Sequence, residues 1–233
     1  MIDRKILSVT VVLALASATA GPAAAQFGGL GAIGKMGGLG GMIPGGRTSG
    51  AASVDPNAFL AETIETTKFM MIAAAVLAQA ADTDKGRDSL RAEIAAIQNI
   101  SDIGELNARK EAFATNIEAA SLNYADADKA QQRYNSATKD QQKLLMTAAY
   151  NFSLGMARNV QLSAQAPQLL SSIKANPMLL SKVGSMTAAA GLIGQQAKAA
   201  YSMGPSLRTL MSHGGVEVPS DSHAAKPQTV EIL

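Results

Sequence analysis

Residues 55–81 read DPNAFLAETIETTKFMMIAAAVLAQAA, and no other part of the chain says as much about its architecture. Asp55 before Pro56 is a helix start: a carboxylate that accepts from the free N–H groups of the first turn, then a ring whose fixed φ suits the first helical position. Leu60 and Ile64 alternate with Glu62, Thr63, Glu65 and Lys68 through the early turns. From Phe69 to Ala81 every side of the helix is apolar except at Gln79. The run falls short of the about 20 residues that cross a bilayer. A helix apolar all round that does not cross a membrane is covered by other helices. The stretch predicts a buried central helix in an all-α protein.

The residues that follow supply the cover. Ser89 to Ile100 sets Leu90, Ile94 and Ile97 on one face. Ser101 and Asp102 then open a segment in which Ile103, Leu106, Lys110, Phe113, Ile117, Ala120, Tyr124, Ala127, Gln131 and Tyr134 recur at spacings of three and four. That predicts one long helix to about Asn135–Ser136, with Lys110 and Gln131 in the seam favouring a bundle over an extended coiled coil. Thr138 to Gln141 fits a capping box. The helix it opens carries Leu145, Ala149, Phe152, Met156 and Val160 as a stripe, and Pro167 ends it or begins the next. Asn176–Pro177 is another cap-plus-proline start, leading to Leu180, Val183, Thr187, Ala190 and Ile193. Gly204–Pro205 predicts a break before a last short helix, which Gly214–Gly215 stops.

Together these signals predict an elongated antiparallel helical bundle over residues 54–214, with helices of roughly 30 residues about 45 Å long. No stretch alternates as a strand does. Gly184, Ala188, Ala190, Gly191 and Gly194 offer close approach between helices. The chain has 11 methionines, and Met70, Met71, Met146, Met156, Met178 and Met186 lie in or beside apolar stripes, which predicts core packing. Residues 215–233, with Pro219, Pro227 and mixed polar residues, predict a disordered tail.

Ahead of the bundle stand two unlike segments. Residues 1–25 read as a cleavable signal peptide: Arg4 and Lys5, an uncharged apolar run from Ile6 to Ala16, then small residues ending in Ala23-Ala24-Ala25. Cleavage is expected before Gln26, with Ala20 as a second site, and places the mature chain in the periplasm or outside the cell. Residues 26–53 form a Gly-rich arm in which Phe27, Leu30, Ile33, Met36, Leu39 and Met42 recur every three residues. Each glycine costs a helix roughly 1 kcal/mol, so the arm is read as flexible. In a three-residue-per-turn extended helix those six side chains would make one apolar strip. The plainer reading is a flexible linker whose spacing is accidental; the sharper one is an apolar docking strip, since a soluble linker would normally carry Ser or charge.

Composition narrows the functions. The 233 residues contain no Cys, so burial alone must stabilise an exported chain and lipoprotein acylation is excluded. The net charge of +2 falls by one unit with the signal, which argues against a general nucleic-acid binder. Only 4% of residues are aromatic and none is Trp, a poor basis for a sugar cleft.

Chemistry-bearing motifs are few. His213 and His223 are the only histidines, and Ser212-His213 with Asp221-Ser222-His223 hold the residue types of a hydrolase triad. Sequence neighbours do not build such a site, because its side chains converge from separate parts of a scaffold. Asp82, Asp84, Asp88 and Glu93 approximate positions 1, 3, 7 and 12 of a calcium loop, but Arg87 stands where that loop turns on glycine. The competing reading is a solvated turn whose acids favour the next helix start. Asp126 and Asp128 with Asn123 make a second acidic group, whose members point apart on a helix.

No catalytic residue, cofactor or metal ligand is therefore assigned. The expectation is a non-enzymatic interaction or structural protein of a bacterial-type cell envelope, its arm touching a partner protein or a membrane surface. A periplasmic carrier of a lipid or other small apolar ligand is the first alternative and an unidentified hydrolase the second. Oligomeric state is not legible.

Overall fold

A proline at the first helical position and a carboxylate before it do what their chemistry dictates: Asp55 Oδ1 accepts from the Asn57 amide at 3.0 Å, and helix α1 runs Pro56–Gln79. The computed structural model describes residues 55–79, 84–124, 126–217 and 221–232. The signal segment and the Gly-rich arm, including Phe27, Leu30, Ile33, Met36, Leu39 and Met42, lie outside these. After α1 come α2 (Asp84–Gln98), α3 (Ile103–Ala108), α4 (Lys110–Asn123), α5 (Ala127–Ser136), α6 (Lys139–Ala175), a 3-10 turn (Pro177–Lys182) and α7 (Val183–Gly214). The protein is an all-α, multi-helix bundle, with no strand among the described residues.

α1 is the centre of it. Every residue from Phe69 to Leu77 is buried, against α6 and α7 and against α2 and α4. The early turns differ from the sequence reading. Thr63, Thr66 and Thr67 are fully buried, while Leu60 and Ile64 are only half-covered. Thr63 and Thr67 are tolerated there because their hydroxyls bond back one turn: Thr63 Oγ1 donates to the Phe59 carbonyl at 2.8 Å and Thr67 Oγ1 to that of Thr63 at 2.7 Å. The remaining lone pairs of Thr67 take a 2.6 Å bond from Gln196 Nε2 on α7.

Where the long helix 102–136 was expected, three shorter ones stand. Arg109, at φ −93° and ψ 5°, closes α3 and opens α4, and Asp126 takes an extended conformation and caps α5 by accepting from the Lys129 amide. The acids at 126 and 128 are thus a helix start rather than a helical cluster, since a short carboxylate competes for its own backbone. The breaks let one segment lay Ile103, Leu106, Phe113, Ala120 and Tyr124 around both α1 and α7. A straight helix of that length, about 50 Å, would leave its ends uncovered.

The later prolines also differ from expectation. Pro167 and Pro205 lie inside α6 and α7 and end neither. Both are exposed, so the carbonyl each leaves without a helical donor faces the solvent side, while Ala166, Leu169, Met203 and Leu207 anchor the flanking turns in the core. The capping box at Thr138 and Gln141 forms, and Gly215 ends α7 at φ 63°, its N–H bonded to the Met211 carbonyl. Asn176 caps the 3-10 turn, not α7 itself.

Several stripe positions fall outside the core. Val160, Leu180 and Met178 are exposed, the last at 89%, whereas Met70, Met71, Met146, Met156 and Met186 are buried. The close approaches occur elsewhere than expected. A Cβ at Gly184, Gly191 or Gly194 would meet nothing within 4 Å, but one at Gly155 would run into Met70 and come within 2.9 Å of the Phe69 ring. Gly214 is closed in the same way by Met146.

Candidate functional site

The middle of α6 is buried on every side from Leu145 to Met156 apart from Thr147, and polar groups placed there need partners. Asn151, at 1% exposure, and Arg158 just beyond that stretch, at 5%, look to the far end of the chain. Arg158 Nε donates to the Ser222 carbonyl at 2.9 Å and Nη2 to the Ala225 carbonyl at 2.7 Å. Its Nη1 lies 3.2 Å from Glu65 Oε1, and the guanidinium stands 5.4 Å from the centroid of the Phe69 ring. A guanidinium out of water costs several kcal/mol unless its fork is filled. Here two carbonyls and a ring do most of it, because Glu65 is 58% exposed and its attraction is screened. Asn151 Nδ2 donates to the Gln228 carbonyl and its Oδ1 accepts from the Gln228 amide, both at 2.8 Å.

Residues 221–232 thus form neither helix nor strand, in line with the sequence, yet they lie against the bundle instead of apart from it. Asp221 Oδ1 accepts from the amides of His223 and Ala224, and the Ala225 amide closes the turn on the Asp221 carbonyl at 3.2 Å. An irregular run follows, with Ala225, Val230 and Ile232 packed on the core. Arg91 on α2 reaches the Ile232 carbonyl at 3.3 Å. His223 Nδ1 is 2.8 Å from Glu62 Oε1, but the pair is not aligned as a hydrogen bond.

Beside this segment α1 leaves a surface groove of about 400 Å³, walled by Ile64, Phe69, Ile72 and Pro227, with Glu65 and Lys68 at its edge. Lys68 Nζ caps the end of α2, 2.5 Å from the Gln98 carbonyl and 2.7 Å from that of Ile100, a favourable place for a cation.

The residues that sequence reading singled out are not brought together. Asp82 lies outside the described residues and the side chain of Asp84 is not described. Asp88 pairs with Arg91 at 3.0 Å. Both Glu93 oxygens are taken, by Gln79 Nε2 at 3.0 Å and Asn116 Nδ2 at 2.8 Å. Five helical residues apart, Asp88 and Glu93 point to different sides of α2. Among the described residues no three His, Asp or Glu side chains are grouped to share an ion. Ser212 Oγ donates to the Thr209 carbonyl, and Asp221 is spent on its own turn. Sequence reasoning missed Arg158 and Asn151, although an arginine and an asparagine set within an otherwise apolar helix were visible as a signal.

Fold and site together define an α-helical bundle in which α6 carries polar anchors for an irregular C-terminal strap. Comparison with family models, with characterised proteins and with solved structures finds no match to this chain. No described helix is long and apolar enough to cross a membrane.

Proposed function

We propose that this protein is an exported, non-enzymatic helical interaction protein of a bacterial-type envelope, periplasmic or secreted. On this reading the elongated antiparallel bundle is a rigid body. The Gly-rich arm, through Phe27, Leu30, Ile33, Met36, Leu39 and Met42, contacts a partner protein or the membrane surface. What supports the reading most is the filled interior: α1, α6 and α7 meet through fully buried Met70, Ala74, Phe152, Leu154, Met186 and Leu192. An arm joined directly to the capped first turn of such a helix is held at a fixed point, which is what presentation to a partner requires.

The test is recovery of partners from envelope extract by the mature chain and by one lacking residues 27–46. Loss of bound protein or membrane with the arm is the expected outcome, and equal recovery by both chains removes the arm from the account. N-terminal sequencing of the exported chain should begin at Gln26. Native mass spectrometry separates this reading from that of an apolar-ligand carrier: the bare polypeptide mass is expected, and a co-purifying lipid would favour the carrier.

A further inference from the structure

We infer that the α1/α6 face bearing Arg158 and Asn151 is a binding site for extended polypeptide, occupied in this chain by its own residues 221–232 as an internal ligand. An all-α protein has no sheet edge to which a peptide can add as a strand, because helices consume their own main-chain groups. Main-chain recognition must then come from side chains, and this face supplies it. Arg158 takes the carbonyls at 222 and 225, and Asn151 takes both the N–H and the carbonyl of 228.

The spacing matches an extended ligand. Arg158 and Asn151 are two turns apart on one side of α6, about 10.5 Å along its axis. Ala225 to Gln228, drawn out at about 3.3 Å per residue, covers about 10 Å. As the strap's numbers rise those of α6 fall, so the ligand lies antiparallel to the helix. None of these bonds reads a ligand side chain. Selectivity comes from space: Ser222 is 5% exposed, which admits only a small residue, while the half-buried Ala225, Val230 and Ile232 seat on the core. The ligand class is a polypeptide with a tight turn holding a small residue, followed by an extended run with apolar residues at the positions of Val230 and Ile232. The groove at Pro227 leaves room for a larger side chain there. The inference does not depend on the arm, so an unchanged pull-down without residues 27–46 leaves it standing.

The experiment keeps the full mature chain and vacates the site from within. Ser222→Trp cannot fit the buried position, and Gln228→Pro removes the N–H that Asn151 accepts. A fluorescein-labelled peptide of residues 221–233 is titrated by anisotropy against this double variant and against the unaltered chain. We expect binding to the vacated chain about tenfold tighter or more, and about tenfold weaker binding when the peptide's Gln228 amide is N-methylated, the size of one well-made hydrogen bond. Equal affinity for the two chains, or for the two peptides, overturns the inference, provided circular dichroism shows the variant as helical as the parent. Should the variant lose its helical spectrum, hydrogen exchange on the unaltered chain decides. A Gln228 amide slowed about tenfold or more against the free peptide sustains the site, and exchange at the free-peptide rate rejects it.

Discussion

Gly155 and Gly191 occupy helix interiors of similar composition and have opposite environments. At Gly155 an added methyl would meet buried Met70 and the Phe69 ring, whereas at Gly191 it would meet nothing. Alanine in place of glycine favours a helix by about 1 kcal/mol, and overpacking a core costs about 1–3 kcal/mol. Gly191→Ala should therefore gain about 1 kcal/mol and raise the melting temperature, and Gly155→Ala should lower it, with a net loss of up to about 2 kcal/mol once the helix gain is subtracted; calorimetry on the two variants checks the signs. The sequence does not separate these glycines, because nothing within a few residues of Gly155 reveals that Met70 lies across from it. Tyr124 carries a second test. Burial pushes its phenol from 10.0 up to about 12, against a weaker downward pull from Arg133. Below about pH 10 the ring is neutral folded or unfolded, and stability is complete. Above that the unfolded chain ionises first, so stability declines as pH rises towards 12, by about 1 kcal/mol at pH 11. Urea titrations at about pH 9 and pH 11 should show that loss, and Tyr124→Phe should remove it.

Helix starts and stops were legible where their chemistry is local. Asp55–Pro56, Asp102, Thr138 with Gln141, and Gly215 all act within a turn of where the sequence puts them. Helix continuity was not legible, because it depends on what the flanking turns bury. Tertiary burial carries α6 through Pro167, while the wrap around α1 and α7 breaks 102–136 at Arg109 and before Asp126. Pro167 offers a direct test of this account. Were it a boundary, replacing it would cost stability or change nothing. Inside a continuous helix, Pro167→Ala restores a donor to the Ser163 carbonyl and relieves the ring's clash with the preceding turn, part of the about 3 kcal/mol that an interior proline costs. Greater freedom of the unfolded chain offsets some of it. A gain of about 1–2 kcal/mol in urea unfolding is the expected result.

Across the molecule, the first described helix and the last described segment meet on α6, and Arg158 is where they do so. One guanidinium joins Glu65 and Phe69 of α1 to the carbonyls of Ser222 and Ala225. No periodicity signals a contact made across 64 or 67 positions of chain, which is why the tail read as free while the helices before it did not. Arg158→Ala leaves two carbonyls without donors, and these regain partners most readily by lifting into water. The variant's native state should then expose the strap already, so less surface is uncovered when the bundle unfolds. Both the urea midpoint and the slope m should fall, whereas a core cavity of equal cost lowers the midpoint at constant m. Lysine should not rescue, since a single ammonium lacks the planar fork that reaches two carbonyls, a carboxylate and a ring face at once. An Arg158→Ala variant with an unchanged slope would mean that the strap stays seated through Asn151 and its apolar contacts alone.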